Sequence, residues 1–254
     1  MSNRRYPLTS SQQPVWMEQV FKSESPLYNV GGRFVLTGAL DPVRFKHALD
    51  HVVAHTDAYR INLVMEDTQP WQIINDDLEL DWKCIDLSDY PDAHQRAADY
   101  CQNQMSTAFD IHGPCLWRIH WLKISEQESA MCMVFHHLIV DGIAGSLFLE
   151  YLSETYLAMD GQGRFFKEVP ERPSYSEFIE KDLAYRQSSR FEKDQAFWLE
   201  KFTTLPDPLL LKKTNQFDDQ PFARREYEFT QQQYNQIGAV AHDMAARQRT
   251  FSRL

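Results

Sequence analysis

The stretch Ala130-Met131-Cys132-Met133-Val134-Phe135-His136-His137-Leu138-Ile139-Val140-Asp141-Gly142 decides the fold. Its first six residues form the longest apolar run in the chain, enough for a buried strand and far short of a transmembrane span. The run ends in two histidines, and Asp141-Gly142 then leads into a helical pattern from Ile143 to Met159. A reactive side chain at such a strand-to-helix junction is backed by rigid structure. Adjacent residues of an extended backbone point to opposite faces. One imidazole can therefore enter a cavity while the other packs inward and is held by hydrogen bonds. Shared coordination of one metal by the pair is geometrically awkward, and the His-Glu-x-x-His zinc pattern is absent.

The exposed imidazole of such a pair reads as a general base, because an unperturbed pKa near ~6.5 lets it accept a proton from an amine, hydroxyl or thiol at neutral pH. Asp141 is not a reasonable nucleophile, and a carboxylate buried at this junction would need a basic partner. Arg60, closing His55-Thr56-Asp57-Ala58-Tyr59-Arg60, is the candidate for that partner. Gly142 would let a substrate backbone approach closely and leave an amide N–H facing the cavity. A histidine pair at a strand end is more often a satisfied core pair than a catalyst, so these residues alone leave both readings open.

Upstream, Thr9-Ser10-Ser11 offers hydroxyl caps for a helix in which Pro14 falls early and Val15, Trp16 and Val20 form an apolar stripe. Arg33 to Leu36 reads as a strand closed by Thr37-Gly38, and Asp41-Pro42 as the cap and first residue of a helix carrying Phe45, Leu49, Val52 and Val53. Ile61 to Met65 and Trp71 to Ile74 pattern as a hairpin, and Leu78 to Ile85 alternates with strand period. Asp92 to Phe109 returns to helix, and Cys115 to Ile124 pairs with Ala130 to Phe135 around the turn Ser125-Glu126-Gln127-Glu128. This alternation predicts an α/β (α+β) layered sandwich, a mixed sheet with flanking helices.

Gly161 to Arg164 and Pro170 to Pro173 mark a surface connection that closes a first lobe, 1–173. Residues 174–221 read as a helical and irregular connection: Ser174 to Phe202 is a charged helix and Leu205 to Pro221 is irregular. Residues 222–254 read as the start of a second lobe, with a strand at Glu226 to Phe229 and a helix from Gln231 to Arg249 whose Ile237, Val240, Ala241 and Met244 need a partner. Thr250 would cap a new helix whose first turn, Phe251 to Leu254, cannot hold itself. The expectation is a chain cut within a larger architecture.

Composition narrows the function classes. With 254 residues, 43% of them hydrophobic, and with only 9 Gly and 12 Pro beside 16 Phe, 11 Tyr and 6 Trp, the chain can bury a core and is not low-complexity. A net charge of −10 repels phosphate backbones and anionic lipid, so neither nucleic acid nor membrane is expected as a partner. Met1-Ser2-Asn3-Arg4-Arg5 is not followed by the apolar core of a signal peptide, which makes cytoplasmic the default location. Cys84, Cys101, Cys115 and Cys132 form no Cys-x-x-Cys pair and read as free, mostly buried thiols.

The His136-His137-Leu138-Ile139-Val140-Asp141-Gly142 stretch resembles the HHxxxDG motif of nonribosomal peptide synthetase condensation domains, relatives of the chloramphenicol-acetyltransferase-like, CoA-dependent acyltransferases. Leu8 to Met17 is similar to that family's opening Ser-x-Ala-Gln-x-x-x-Trp helix, and Asp57-Ala58-Tyr59-Arg60 to its Glu-x-Leu-Arg element, with Asp in place of Glu. Tyr175-Ser176-Glu177-Phe178 and Phe197-Trp198 resemble the region after the first lobe. The likeness runs through the whole chain, with a bias toward domains that open a synthetase, siderophore assembly among them. It covers only the front half of a two-lobed domain whose active site lies in a tunnel between the lobes, so the second lobe is largely missing.

The resemblance implies His137 as base or positioner of the acceptor amine, His136 and Asp141 as structural, Asp141 paired with Arg60, and Gly142 lining the tunnel. It implies transfer of an acyl or peptidyl group from phosphopantetheine on a donor carrier protein to the amine carried by an acceptor carrier. No cofactor or metal is bound by the chain itself, and the donor carrier is expected in trans because the motifs begin near Met1. An acyl-CoA-dependent O- or N-acyltransferase and a catalytically silent carrier-binding lobe are the competing readings. The isolated lobe is expected to be weakly active or inactive, and to self-associate through its exposed tunnel wall unless the second lobe covers it.

Overall fold

The structure, a computed structural model, describes residues 5–204 and 227–243. The chain divides into two compact units, Met1–Lys201 and Phe202–Leu254. Within the first, the order is β1 (Arg5–Pro7), α1 (Gln12–Phe21), β2 (Asn29–Thr37), α2 (Pro42–Ala54), a 3-10 turn (Asp57–Arg60), β3 (Ile61–Glu66), β4 (Gln69–Ile74), β5 (Trp82–Asp86), α3 (Ala93–Ser106), β6 (Trp117–Ser125), β7 (Glu128–His136), α4 (Gly142–Ala158), α5 (Tyr175–Arg186) and α6 (Ser189–Lys201). The second unit contributes α7 (Gln231–Asp243).

A four-stranded mixed sheet runs β2-β7-β6-β5, with β5 parallel to β6 and the other pairs antiparallel. The predicted central strands form as β6 and β7, and both are buried along nearly their full length because helices cover both faces. Period-two alternation sends Trp117, Ile119, Trp121, Met131, Met133 and Phe135 into the core shared with α2 and α4. The alternate residues Leu122, Ile124, Ala130, Cys132 and Val134 meet Ala93, Ala97 and Cys101 of α3. The expected hairpin forms as β3 and β4, which with β1 make a separate three-stranded sheet. Gly31 on β2 sits at φ +146°, so close to β7 that a Cβ there would lie 2.0 Å from the carbonyl oxygen of Met133.

The predicted cap at Asp41 forms, its carboxylate accepting the Val43 N–H at 2.8 Å with Pro42 next in line. The helix expected from Thr9-Ser10-Ser11 starts at Gln12 without a side-chain cap from Ser11. Its buried face also differs from the expected stripe: Val15 and Trp16 are half-buried beside the fully buried Gln12 and Gln19, whereas Val20 is exposed. Of the expected 78–85 strand only residues 82–85 join the sheet, within β5, because the Trp82 N–H bonds back to the Leu80 carbonyl at 2.8 Å. The expected long helix at 174–202 is broken at Gln187-Ser188, where the Ser188 hydroxyl accepts the Phe191 N–H.

Tyr227 to Phe229 is not a strand; Glu226, the 205–221 segment and the Thr250 cap lie outside the described residues. No helix among the described residues is long and apolar enough to cross a membrane. All four cysteines are free thiols, Cys101 and Cys132 buried, Cys115 half-buried and Cys84 exposed.

Candidate active site

The site is built where β7 leaves the sheet. The two histidines part as extended geometry requires: His136 is 1% exposed and His137 faces solvent. Nδ1 of His136 accepts the Leu138 N–H at 3.1 Å, so its proton sits on Nε2, which donates to Oε1 of Gln19 at 3.2 Å. Burial, with a smaller contribution from neighbouring His137, pushes the His136 pKa down to about 4, leaving a neutral imidazole at physiological pH. Phe109 and Tyr28 flank its ring at 6.1 and 6.0 Å between centroids. His136 is thus fully engaged in structure.

His137 is held differently. Its backbone N–H donates to the Tyr28 carbonyl at 2.8 Å, continuing the β2–β7 ladder one step beyond the Asn29–His136 pair. The imidazole stands perpendicular to the Tyr28 ring at 6.4 Å. No hydrogen bond or ion pair to another described residue engages its nitrogens. An exposed imidazole with both nitrogens uncommitted, on a rigid strand end, is available to take or orient a proton.

Asp141 caps α4, its carboxylate accepting the Ala144 N–H at 2.7 Å from an extended backbone. The expected Arg60–Asp141 ion pair is not formed. Arg60 instead pairs with Asp76, the side chains being 17% and 67% exposed. The β3–β4 register explains this: Ile61 faces Ile74, so Arg60 lies beside the residues that follow β4, and the Asn75 N–H donates to the Arg60 carbonyl at 2.8 Å. Asp141 is exposed and already engaged as a cap, so it has no desolvation cost for a cation to offset. A Cβ added at Gly142 would meet open space, so packing within this lobe does not demand glycine there.

Three buried glutamines that sequence reasoning passed over tie the site to the lobe. Gln12 donates through Nε2 to the Leu138 carbonyl and to Gln72, both at 3.0 Å, fixing the loop after the histidines to α1 and β4. Gln19, two turns along α1 on the same face, serves His136 and donates to the carbonyls of Lys22, Ser23 and Ser25. Its signal in the sequence was the seven-residue spacing from Gln12. Asp57 of the 3-10 turn anchors α5, accepting from the Ser174 hydroxyl at 2.5 Å and the Tyr175 N–H at 2.7 Å. No cluster of three or more His, Cys, Asp or Glu side chains suited to a metal occurs among the described residues.

Residues 2–250 match the model of the condensation domain. An isonitrile lipopeptide synthase of Streptomyces coeruleorubidus is 28% identical over 253 residues, covering 96% of the chain and 16% of that protein. A dimodular nonribosomal peptide synthase of Bacillus subtilis is 26% identical over 208 residues, covering 82% of the chain and 9% of that protein. Among solved structures, the first condensation domain of the calcium-dependent antibiotic synthetase, bound to a substrate analogue, superposes with a TM-score of 0.81 at 23% identity, over 96% of this chain and 58% of that one. The starter condensation domain of rhizomide synthetase superposes with a TM-score of 0.74 at 23% identity, over 81% and 49%. These likenesses establish the layered α/β lobe as the fold, and the chain spans about half of the domains and a small part of the synthases it matches.

Proposed function

The chain belongs to the condensation-domain family, and on that premise we propose that it is the histidine-bearing lobe of a domain that makes an amide bond between two carrier-bound substrates. In that reaction the acceptor amine attacks the carbonyl of the donor thioester. The C–N bond forms, the C–S bond breaks, and the phosphopantetheine sulfur leaves as a thiol that gains the proton lost by the amine. Phosphopantetheine enters as part of the substrates on donor and acceptor carrier proteins. His137 orients the amine or accepts its proton, and Gly142 leaves room beside it for the thioester arm.

The observation that carries this reading is the contrast within the pair: His136 is locked as a neutral structural imidazole, while His137 is exposed with both nitrogens uncommitted. The peptide-synthase identity of the relatives favours carrier-bound over free acyl-CoA donors. The wall opposite His137 would come from the remaining half of the domain, and Ile143 and Leu147 on α4, 67% and 54% exposed, are the surface it would cover.

A single-turnover assay tests the proposal, with acyl-loaded donor carrier and aminoacyl-loaded acceptor carrier mixed with the chain, with and without a separately produced second lobe. Amide product that depends on the added lobe and disappears in His137→Ala is expected. Product from free acyl-CoA but not from the carrier would favour the acyltransferase reading, and no product from a folded mixture would leave a carrier-binding lobe.

A further inference from the structure

Glu18 and Gln19 are consecutive on the last turn of α1; Gln19 reaches His136, and Glu18 reaches Tyr28, which lies against His137. Gln19 bonds His136 directly. Glu18 accepts the Tyr28 hydroxyl at 2.6 Å, a short charge-assisted bond, and Tyr28 is the residue whose carbonyl and ring hold His137. The segment between is itself fixed, since Gln19 gathers the carbonyls of Lys22, Ser23 and Ser25 and the Asn29 side chain donates to the Met105 and Thr107 carbonyls.

We infer that Tyr28, anchored by Glu18, is the positioning residue for His137, so that the last turn of α1 sets where the exposed imidazole points. This rests on the reading of His137 as the acting histidine. The physical case is that an exposed side chain on a strand end has several rotamers open to it. Tyr28 offers His137 its perpendicular ring contact, with centroids 6.4 Å apart, as the one aromatic neighbour of that imidazole among the described residues. Tyr28 is only half-buried, so its own ring orientation depends on the hydroxyl anchor. Glu18 is suited to that anchoring: the Tyr28 hydrogen bond, reinforced by Lys22 at 3.5 Å, holds its pKa below the usual carboxylate value and keeps it an acceptor.

The test uses the chain labelled on histidine and observed by NMR, with the His137 imidazole signal identified by its loss in His137→Ala. Tyr28→Phe and Glu18→Ala remove the anchor from either end at the surface, and both are expected to shift or broaden the His137 signal alike. The double variant should add nothing further, Glu18→Gln should recover most of the original signal because an acceptor remains, and the exposed His112 signal should not move. In the single-turnover mixture the same two variants should lower the rate constant about tenfold with half-saturation by the acceptor carrier unchanged. A His137 signal and rate constant indifferent to Tyr28→Phe and Glu18→Ala in folded protein would overturn the inference. If His137→Ala leaves amide formation intact while the signals still respond as expected, the positioning stands and the role assigned to His137 falls.

Discussion

On the face of the sheet covered by α2 and α4, β6 and β7 present Trp117, Ile119, Trp121, Met131, Met133 and Phe135, and Phe45 packs on Trp121 with ring centroids 4.9 Å apart. Their alternate residues on the α3 side include the small apolar Ala130, Cys132 and Val134 together with Arg118, His120 and, at the strand end, His136, each of them a titratable group taken out of water. Each is satisfied. Arg118 donates to the carbonyls of Gln104, Thr107 and Ala108, and His120 bonds the Tyr100 hydroxyl at 2.9 Å and Asp81 at 3.2 Å. One face is held by volume and the other by hydrogen-bond satisfaction, and burial lowers the pKa of all three basic groups on the second. His136 ends the second face, where a single geometry is enforced by directional bonds, and His137 leaves the strand on the opposite side.

The largest break in that comparison should come from the first face. Trp121→Ala removes a fully buried indole and is expected to destabilise the lobe by about 3–5 kcal/mol, the range for large aromatic truncations in cores. Cys132→Ala on the opposite face removes one sulfur and should cost about 1 kcal/mol. Urea unfolding of both variants at neutral pH checks the ratio, and similar losses would mean that the two faces share the load.

The second face should answer to pH. The His136 pKa is depressed from 6.5 to about 4 in the folded chain, chiefly by burial, so the folded state resists a proton that the unfolded state accepts. Stability from this group is therefore complete above pH 6.5 and is lost as pH falls from there toward 4, amounting to about 3 kcal/mol over that window. His120 shifts in the same direction and adds to the effect. Unfolding free energies at pH 7, 5.5 and 4.5 should decline less steeply in His136→Gln than in the parent chain, and Trp121→Ala should leave the slope unchanged.

Much of the scaffold was legible because apolar periodicity reports burial directly. β6, β7, the β3–β4 hairpin and the Asp41 cap all stand where pattern and turn chemistry put them. The misreading of α1 has a plain cause: hydropathy counts glutamine as a surface residue. Gln12 and Gln19 are buried because each donates and accepts inside the lobe, and the true buried face of α1 is hidden in the sequence by their polarity. Leu78 and Leu80 alternate like a strand because both pack on the core, which apolar pattern detects, while a local turn bond that it does not detect keeps them off the ladder. At the site, the parting of His136 and His137 followed from extended geometry alone. The partner of Arg60 did not, since it depends on which residues the β3–β4 register sets beside it.

Loss of a helix anchor should be smaller than the Trp121 truncation or the pH effect of His136, and the two anchors near the site separate by how many bonds each carboxylate holds. Asp57→Ala, which removes the acceptor of the Ser174 hydroxyl and of the Tyr175 and Ser176 N–H groups together, is expected to cost about 2 kcal/mol, against about 1 kcal/mol for the single cap bond of Asp141→Ala.

The smallest expected effect is the one that decides how the site is wired. Because Arg60 pairs with Asp76 and Asp141 caps α4, the costs of Arg60→Met and Asp141→Ala should add in the double variant to within about 0.5 kcal/mol, as for independent sites. Arg60→Met with Asp76→Ala should instead be non-additive, because removing either partner already removes the contact. That coupling should be modest, since Asp76 is largely exposed and its charge is screened by water. A coupling above 1 kcal/mol between Arg60 and Asp141 would mean that the arginine turns toward the histidine loop in solution. The strand end would then answer to an ion pair as well as to the directional bonds that set the second face apart from the first.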